Sequence, residues 1–255
     1  MSRRTLPLAL LAAATGLLLF VAARVILHSA GGTGMGSRDE REGLTERRPP
    51  LPPAPREVAD VTERFGEIAR ERYAPSCRRA GIAWPPQRLM LLAFKREKKL
   101  EVWGANESGH YARLGSHRVL AASGGDGPKR RQGDKQVPEG FYDLTELNPN
   151  SAYHLSIRVD YPNREDIGNS TLSLPAMGGD IYIHGDDVSI GCLAIGDRGI
   201  EELFTLAALV PPGQRRIIIA PFDFRRHPAA PPPDEQPWVL NMYGRMKRAL
   251  REFGG

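Results

Sequence analysis

The chain has 255 residues, with 35 Lys and Arg against 30 Asp and Glu, a formal net charge of +5 and an apolar share of 41%. That balance excludes a wholly disordered chain, a collagen-like repeat and a polytopic membrane protein. The 27 glycines and 22 prolines predict a loop-rich, β-heavy fold with some linker.

Arg3 and Arg4 precede an uncharged apolar run from Leu6 to Ala23, and charge returns at Arg24. Residues 1–28 therefore predict a signal peptide or an N-terminal membrane anchor. Ser2-Arg3-Arg4-Thr5-Leu6 also resembles a twin-arginine start. Either reading predicts export to the periplasm or cell envelope, held at the inner membrane if the segment is retained. Residues 29–56, with Gly31 to Gly36 followed by a charged stretch and by Pro49, Pro50, Pro52, Pro53 and Pro55, predict a disordered linker that cannot bury enough apolar surface to fold.

The folded part is predicted over 57–225, with a Pro-rich break and a C-terminal helix over 226–255. Val58, Val61, Phe65 and Ile68 mark one face of a helix from Arg56 to Tyr73, and Pro75 predicts its end. Leu89–Phe94, Leu100–Trp103, His110–Leu114, His117–Ala121, Phe141–Leu144, Tyr153–Val159 and Asp180–His184 predict strands. Between them, 124–140 is a polar loop. Asp197 predicts a helix N-cap, with Ile200, Leu203, Phe204, Ala207 and Val210 facing inward, and Pro211-Pro212-Gly213 closes that helix. Arg216–Pro221 is a further strand. Val239, Tyr243, Met246, Leu250 and Phe253 form the stripe of a last helix. His110, His117 and His154 fall on strand-like stretches and read as surface or packing residues.

The stretch from Ile181 to Ala194 carries the chemistry. It runs from a strand ending in His184 and Gly185 into a loop that closes on Ser189-Ile190-Gly191-Cys192. A thiol is mostly protonated at neutral pH, so a nucleophilic Cys192 needs a base or an ion-pair partner, and His184 stands eight places earlier. Gly191 lets a carbonyl approach the backbone, and the amides near Gly191 and Cys192 are candidate oxyanion donors. Other readings of the same residues stay open. They are a core Cys with a satisfied His, a Cys77–Cys192 disulfide, and a metal site from His184, Asp186, Asp187 and Cys192. Asp186 and Asp187 are placed to raise the pKa of His184. Lys129, Arg130, Arg131 and Lys135 make a basic loop, either solvated or in contact with carboxylates of an acidic peptide. The basic balance suits an anionic wall or membrane better than nucleic acid, which an exported protein does not meet.

His184-Gly185 with Ser189-Ile190-Gly191-Cys192 resembles the H-G…S-x-G-C signature of the YkuD-type L,D-transpeptidase catalytic domain. Gly127 to Tyr142 resembles the same family's G-x-K-x-x-G-D-x-x-T-P-x-G-x-Y loop, and Tyr161-Pro162-Asn163 resembles its YafK-type branch. The resemblance spans Leu89 to Phe222. It implies a mainly β fold with peripheral helices (α+β), an L,D-transpeptidase-like β-sandwich. It implies Cys192 as the nucleophile of a thioester acyl-enzyme and His184 as general base and acid. Gly191, Ser189 and Gly185 are the candidates for oxyanion or loop support, and, apart from the resemblance, Lys129, Arg130, Arg131 and Tyr182 are candidate substrate-binding residues. No cofactor is implied, and the implied partners are peptidoglycan peptide stems. Ile190 and Ala194 stand where many members carry a second His and an Arg. This resembles the YafK-type branch, in which an amide linking peptidoglycan to a lipoprotein is hydrolysed. Transfer to an amine and hydrolysis by water are therefore both expectations.

Overall fold

The structure, a computed structural model, describes residues 53–54, 56–227 and 236–254. The signal or anchor over 1–28, nearly all of the linker over 29–56 and the break at Pro228–Pro233 lie outside these residues. The described chain is built on a sheet with helices at its periphery, as expected. Its frame is one curled eight-stranded sheet, in the order β3-β2-β1-β8-β4-β5-β6-β7. The strands are β1 (Arg88–Phe94), β2 (Lys99–Ala105), β3 (Tyr111–Arg118), β4 (Gly140–Asn148), β5 (Ser156–Val159), β6 (Ile181–His184), β7 (Leu193–Ala194) and β8 (Arg215–Ala220). β1 with β8 and β6 with β7 run parallel, and the other neighbours are antiparallel.

The central strands are covered on both faces. Leu89, Leu91 and Ala93 of β1 and Ile217 and Ile219 of β8 point into one core, while Leu92, Phe94 and Ile218 point into a second. This is why both segments read as unbroken apolar runs rather than alternating ones. The first core lies under α1 (Val58–Arg79) and α4 (Gly196–Leu209), the second under α5 (Pro237–Leu250) and the short 3-10 turn Arg251–Phe253. Val239, Tyr243, Met246, Leu250 and Phe253 are all buried there. Fully burying such a side chain contributes about 1.5–3 kcal/mol before chain entropy is counted.

Several local expectations are corrected. Pro75 does not end the first helix, which continues to Arg79 because Ala74 and Cys77 are buried on the same face as Phe65 and Tyr73. Packing of that face outweighs the one backbone hydrogen bond that proline removes. The helix stops where Gly81 takes a φ of +66° and Ile82 N–H donates to the Cys77 carbonyl at 2.9 Å. The two strands expected over His110–Leu114 and His117–Ala121 are one strand, β3, with a bulge. The register passes from Val102 opposite Gly115 to Trp103 opposite Arg113, which leaves Leu114 extra. The expected strand start at Tyr153 is instead a turn, in which His154 has a φ of +73°. Asp197 does not cap α4. Its Oδ1 accepts the Asp186 N–H at 2.8 Å, so it fastens the loop after β6 instead. Two short helices, α2 (Arg164–Gly168) and α3 (Leu174–Met177), were not foreseen.

The curl of the sheet builds the site. Past β3 the chain meets β7: Leu120 N–H donates to the Ala194 carbonyl at 2.8 Å and Ala194 N–H to Ala121 at 3.0 Å. Residues 120–123 are thereby brought beside 191–194, although some 70 positions apart in sequence.

Candidate active site

In β6, Ile181 and Ile183 enter the core, so Tyr182 and His184 occupy the other face. β7 runs alongside with Leu193 beside Ile183 and Ala194 beside His184. Cys192 is the residue before β7, and its thiol meets the edge of β6 at the Asp180 carbonyl and the Tyr182 amide. The pairing of β7 with β6 thus brings the two ends of the 185–192 loop together.

His184 is buried, at 3% exposure. Its Nδ1 lies 2.6 Å from the Gly185 carbonyl, which can only accept, so Nδ1 carries the proton and Nε2 keeps the lone pair. The side chain needs no carboxylate to set its tautomer. The ring of Tyr153 lies against the imidazole, with centroids 4.8 Å apart and planes tilted by 37°. Gly185 is required by space: a Cβ there would stand 2.6 Å from Asp197 Oδ1 and 2.8 Å from the Tyr153 carbonyl. Burial lowers the imidazole pKa below its ordinary 6.5. The Gly185 hydrogen bond and Asp186 pull the other way and do not win. The expected rise of that pKa from Asp186 is therefore overturned by desolvation.

Cys192 is half-buried and free, and Cys77 is buried and free, so the disulfide reading is excluded. The Cys192 thiol is turned to the Asp180 carbonyl at 3.6 Å, and no hydrogen bond joins it to the imidazole in this conformation. Burial raises its pKa above 9.0. A backbone hydrogen bond from Tyr182 and the nearby Lys129 charge favour the anion, while Asp180 opposes it. The resting pair is thus a neutral thiol beside a neutral imidazole.

The turn around Cys192 is held by hydroxyls. Ser189 Oγ accepts the Cys192 N–H at 3.0 Å and donates to the Cys192 carbonyl at 2.6 Å, and Ser123 Oγ accepts the Gly191 N–H at 2.6 Å. Both amides considered as oxyanion donors therefore have acceptors inside the protein. Gly191 takes a φ of +94°, which a side chain would strain.

The basic loop does not act as one surface. Lys129 is buried, and its ammonium donates to Asp134 Oδ1 at 2.7 Å and to the Arg131 carbonyl at 2.8 Å. Asp134 also accepts the N–H groups of Arg130, Arg131 and Gln136, so the pair is the hub of the loop rather than an outward contact. Arg130 and Arg131 are exposed, and the Arg130 guanidinium lies 5.7 Å from the Trp238 ring centre. Tyr182 lines the thiol side of β6. His117 is a packing residue, held at 2.6 Å by the Tyr73 hydroxyl, and His154 is bound to Glu201 at 2.8 Å. Ser123, Tyr153 and Asp180 were missed by sequence reading. Only the curl of the sheet and two positive-φ residues, His154 and Asp180, bring them to the site. Among the described residues, no three His, Cys, Asp or Glu side chains are grouped to hold a metal ion.

The curled sheet thus carries a half-buried thiol on a glycine turn next to a strand that ends in a histidine of fixed tautomer. Residues 86–219 match the YkuD L,D-transpeptidase catalytic domain, and the chain belongs to that family. It is 38% identical over 136 residues to YafK of Escherichia coli (strain K12), whose L,D-transpeptidase designation is itself provisional. The match covers 52% of this chain and 52% of YafK, so the chain spans about half the length of the curated relatives it matches. YafK of Escherichia coli O157:H7 matches equally. Among solved structures, the helical cell shape determining protein Pgp2 of Campylobacter jejuni aligns with a TM-score of 0.43 at 23% identity, over 52% of this chain and 47% of that one. L,D-transpeptidase 1 of Mycobacterium tuberculosis aligns with a TM-score of 0.30 at 17% identity, over 52% and 62%.

Proposed function

We propose that this chain is an exported peptidoglycan L,D-transpeptidase that works through a Cys192 thioester. The observation that carries the reading is the orientation of His184: the Gly185 carbonyl fixes the proton on Nδ1 and leaves Nε2 free to act as a base, at the end of the strand that β7, directly after Cys192, pairs with. In the proposed reaction, Cys192 Sγ turns from Asp180 toward the scissile carbonyl between a stem diaminopimelate and the terminal D-alanine. Sγ attacks the carbonyl carbon as its proton passes to Nε2. The C–N bond then breaks, the D-alanine nitrogen takes that proton, and a thioester remains. An amine attacks the thioester, returns a proton through His184 to sulfur and leaves as a new amide. Neutral resting groups suit this course, since proton transfer accompanies attack and no stored ion pair is needed.

Export rests on the Leu6–Ala23 run, which lies outside the described residues; among those residues no helix is long and apolar enough to cross a membrane. A retained segment would anchor the enzyme at the inner membrane. The loss of the second His and the Arg, at Ile190 and Ala194, favours a second reading in which water is the acceptor and a wall-linked lipoprotein or peptide is released.

Purified protein is incubated with disaccharide-tetrapeptides and the products are resolved by mass. Cross-linked dimers are expected for transfer, while tripeptide products alone would replace transfer by hydrolysis. Unchanged tetrapeptide, with no carbapenem adduct on the intact protein, would overturn the enzymatic reading and leave a wall-binding module.

A further inference from the structure

The C-terminal helix lies outside the family-matched segment, yet it reaches the loop that supports Cys192. Glu139, at 0% exposure, closes the neck of the 124–139 loop. Its Oε1 accepts the Gly127 N–H at 2.9 Å and the Lys95 ammonium at 2.8 Å. Lys95 Nζ also donates to the Gly127 carbonyl at 3.0 Å and the Val137 carbonyl at 3.1 Å, so both strands of the neck meet on one buried ion pair. The second carboxylate oxygen, Oε2, accepts a short hydrogen bond from the Tyr243 hydroxyl of α5. Burial holds the Glu139 carboxyl above its ordinary range despite these donors, so each of them counts.

From that neck the path to the sulfur is short. Ser123, which precedes the loop, accepts the Gly191 N–H. Gln136, on its return, accepts the Gly125 N–H through its side chain, and its backbone carbonyl lies 3.4 Å from where a Cβ on Gly191 would stand. The Gly191–Cys192 turn therefore leans on both sides of a loop whose neck is tied to α5. Nearby, α5 adds Trp238 against Arg130 and Arg245 paired with Glu165.

We propose that Tyr243 is a positioning residue: by its hydrogen bond to Glu139, the C-terminal helix sets the 124–139 loop and with it the reactive placement of Cys192. The proposal rests on the thioester reading of Cys192. Tyr243 touches no reacting atom and acts through Glu139, Ser123 and Gln136.

The test compares Tyr243→Phe with Val239→Ala in the full chain. Both remove support from α5, but only the first removes the hydrogen bond. Carbapenem acylation is followed by intact mass at several concentrations, beside thermal unfolding. Tyr243→Phe is expected to lower the limiting acylation rate roughly tenfold with little change in half-saturation. Val239→Ala, with a comparable fall in Tm, is expected to acylate within about twofold of wild type. Equal limiting rates for the two variants, or a wild-type rate in Tyr243→Phe, would overturn the proposal. If Tyr243→Phe does not fold, Glu139→Gln takes its place: a limiting rate lowered with half-saturation kept supports it, and a wild-type rate refutes it. Failure of the underlying reading looks different, since wild type itself would then form no adduct at Cys192.

Discussion

Cys77 and Cys192 share a chain and a free thiol, and burial pushes both pKa values above the ordinary 9.0. Their surroundings differ in every other respect. Cys77 has 0% exposure on α1, packed in the core with Phe65 and Tyr73. Cys192 is half-exposed on a glycine turn, with a backbone hydrogen bond from Tyr182, the Lys129 charge nearby and an oriented imidazole at the end of the neighbouring strand. A pKa shift alone does not separate a structural thiol from a reactive one; the reactive role proposed for Cys192 rests on access and on an oriented imidazole nearby.

The largest expected effect breaks the comparison outright. Cys192→Ala should abolish both the carbapenem adduct and turnover, with rates down by more than about 10³-fold, while Cys77→Ala keeps the full adduct. Intact mass on the two variants decides it, and an adduct that survives in Cys192→Ala would remove the proposed nucleophile. Next comes the base. His184→Gln should lower acylation by about 10²–10⁴-fold with the fold intact by circular dichroism. A loss of only a few fold would mean that Cys192 does not depend on His184 for proton transfer.

A third measurement sharpens the contrast through pH. Because the Cys192 thiol sits above 9.0 and the His184 imidazole below 6.5, both are neutral at pH 7. The thiolate fraction then rises about tenfold per pH unit through the neutral range. Iodoacetamide alkylation of Cys192 should climb from pH 7 to 9 without levelling. In the proposed mechanism carbapenem acylation uses neutral His184 as base. It should rise as pH increases through the imidazole pKa, below 6.5, and be flat by neutral pH. A shared plateau near pH 6 would instead show a preformed thiolate–imidazolium pair. Cys77 should stay unalkylated throughout the native range.

The same contrast explains what was legible in the sequence. The H-G…S-x-G-C pattern and the helix stripes of α4 and α5 are local signals, and Ile200, Phe204, Val239 and Tyr243 are buried where periodicity put them. What failed depended on tertiary packing. Pro75 reads as a stop until Cys77 is seen buried beyond it, and Lys129 reads as a surface cation until Asp134 is seen beneath it. Ser123 and Tyr153 carry no local signal at all, because the closure of 120–121 on Ala194 and the turn at His154 bring them to Gly191 and His184.

The smallest effect concerns stability and tests whether Cys77 is structural. Serine at 77 places a hydroxyl of nearly the same size in a site whose neighbours are Phe65, Tyr73 and other apolar side chains. Its best acceptor is the backbone carbonyl one turn earlier, already engaged in the helix, so the hydroxyl is only partly satisfied. The cost should be about 1–3 kcal/mol, a fall in Tm of several degrees for a body of this size. Cys192→Ser places the same hydroxyl at a half-exposed position that water can reach, and its stability should stay within about 0.5 kcal/mol of wild type. If serine were the costlier change at 192, the sulfur there would be holding the turn together, and the division of labour between the two cysteines would have to be reversed.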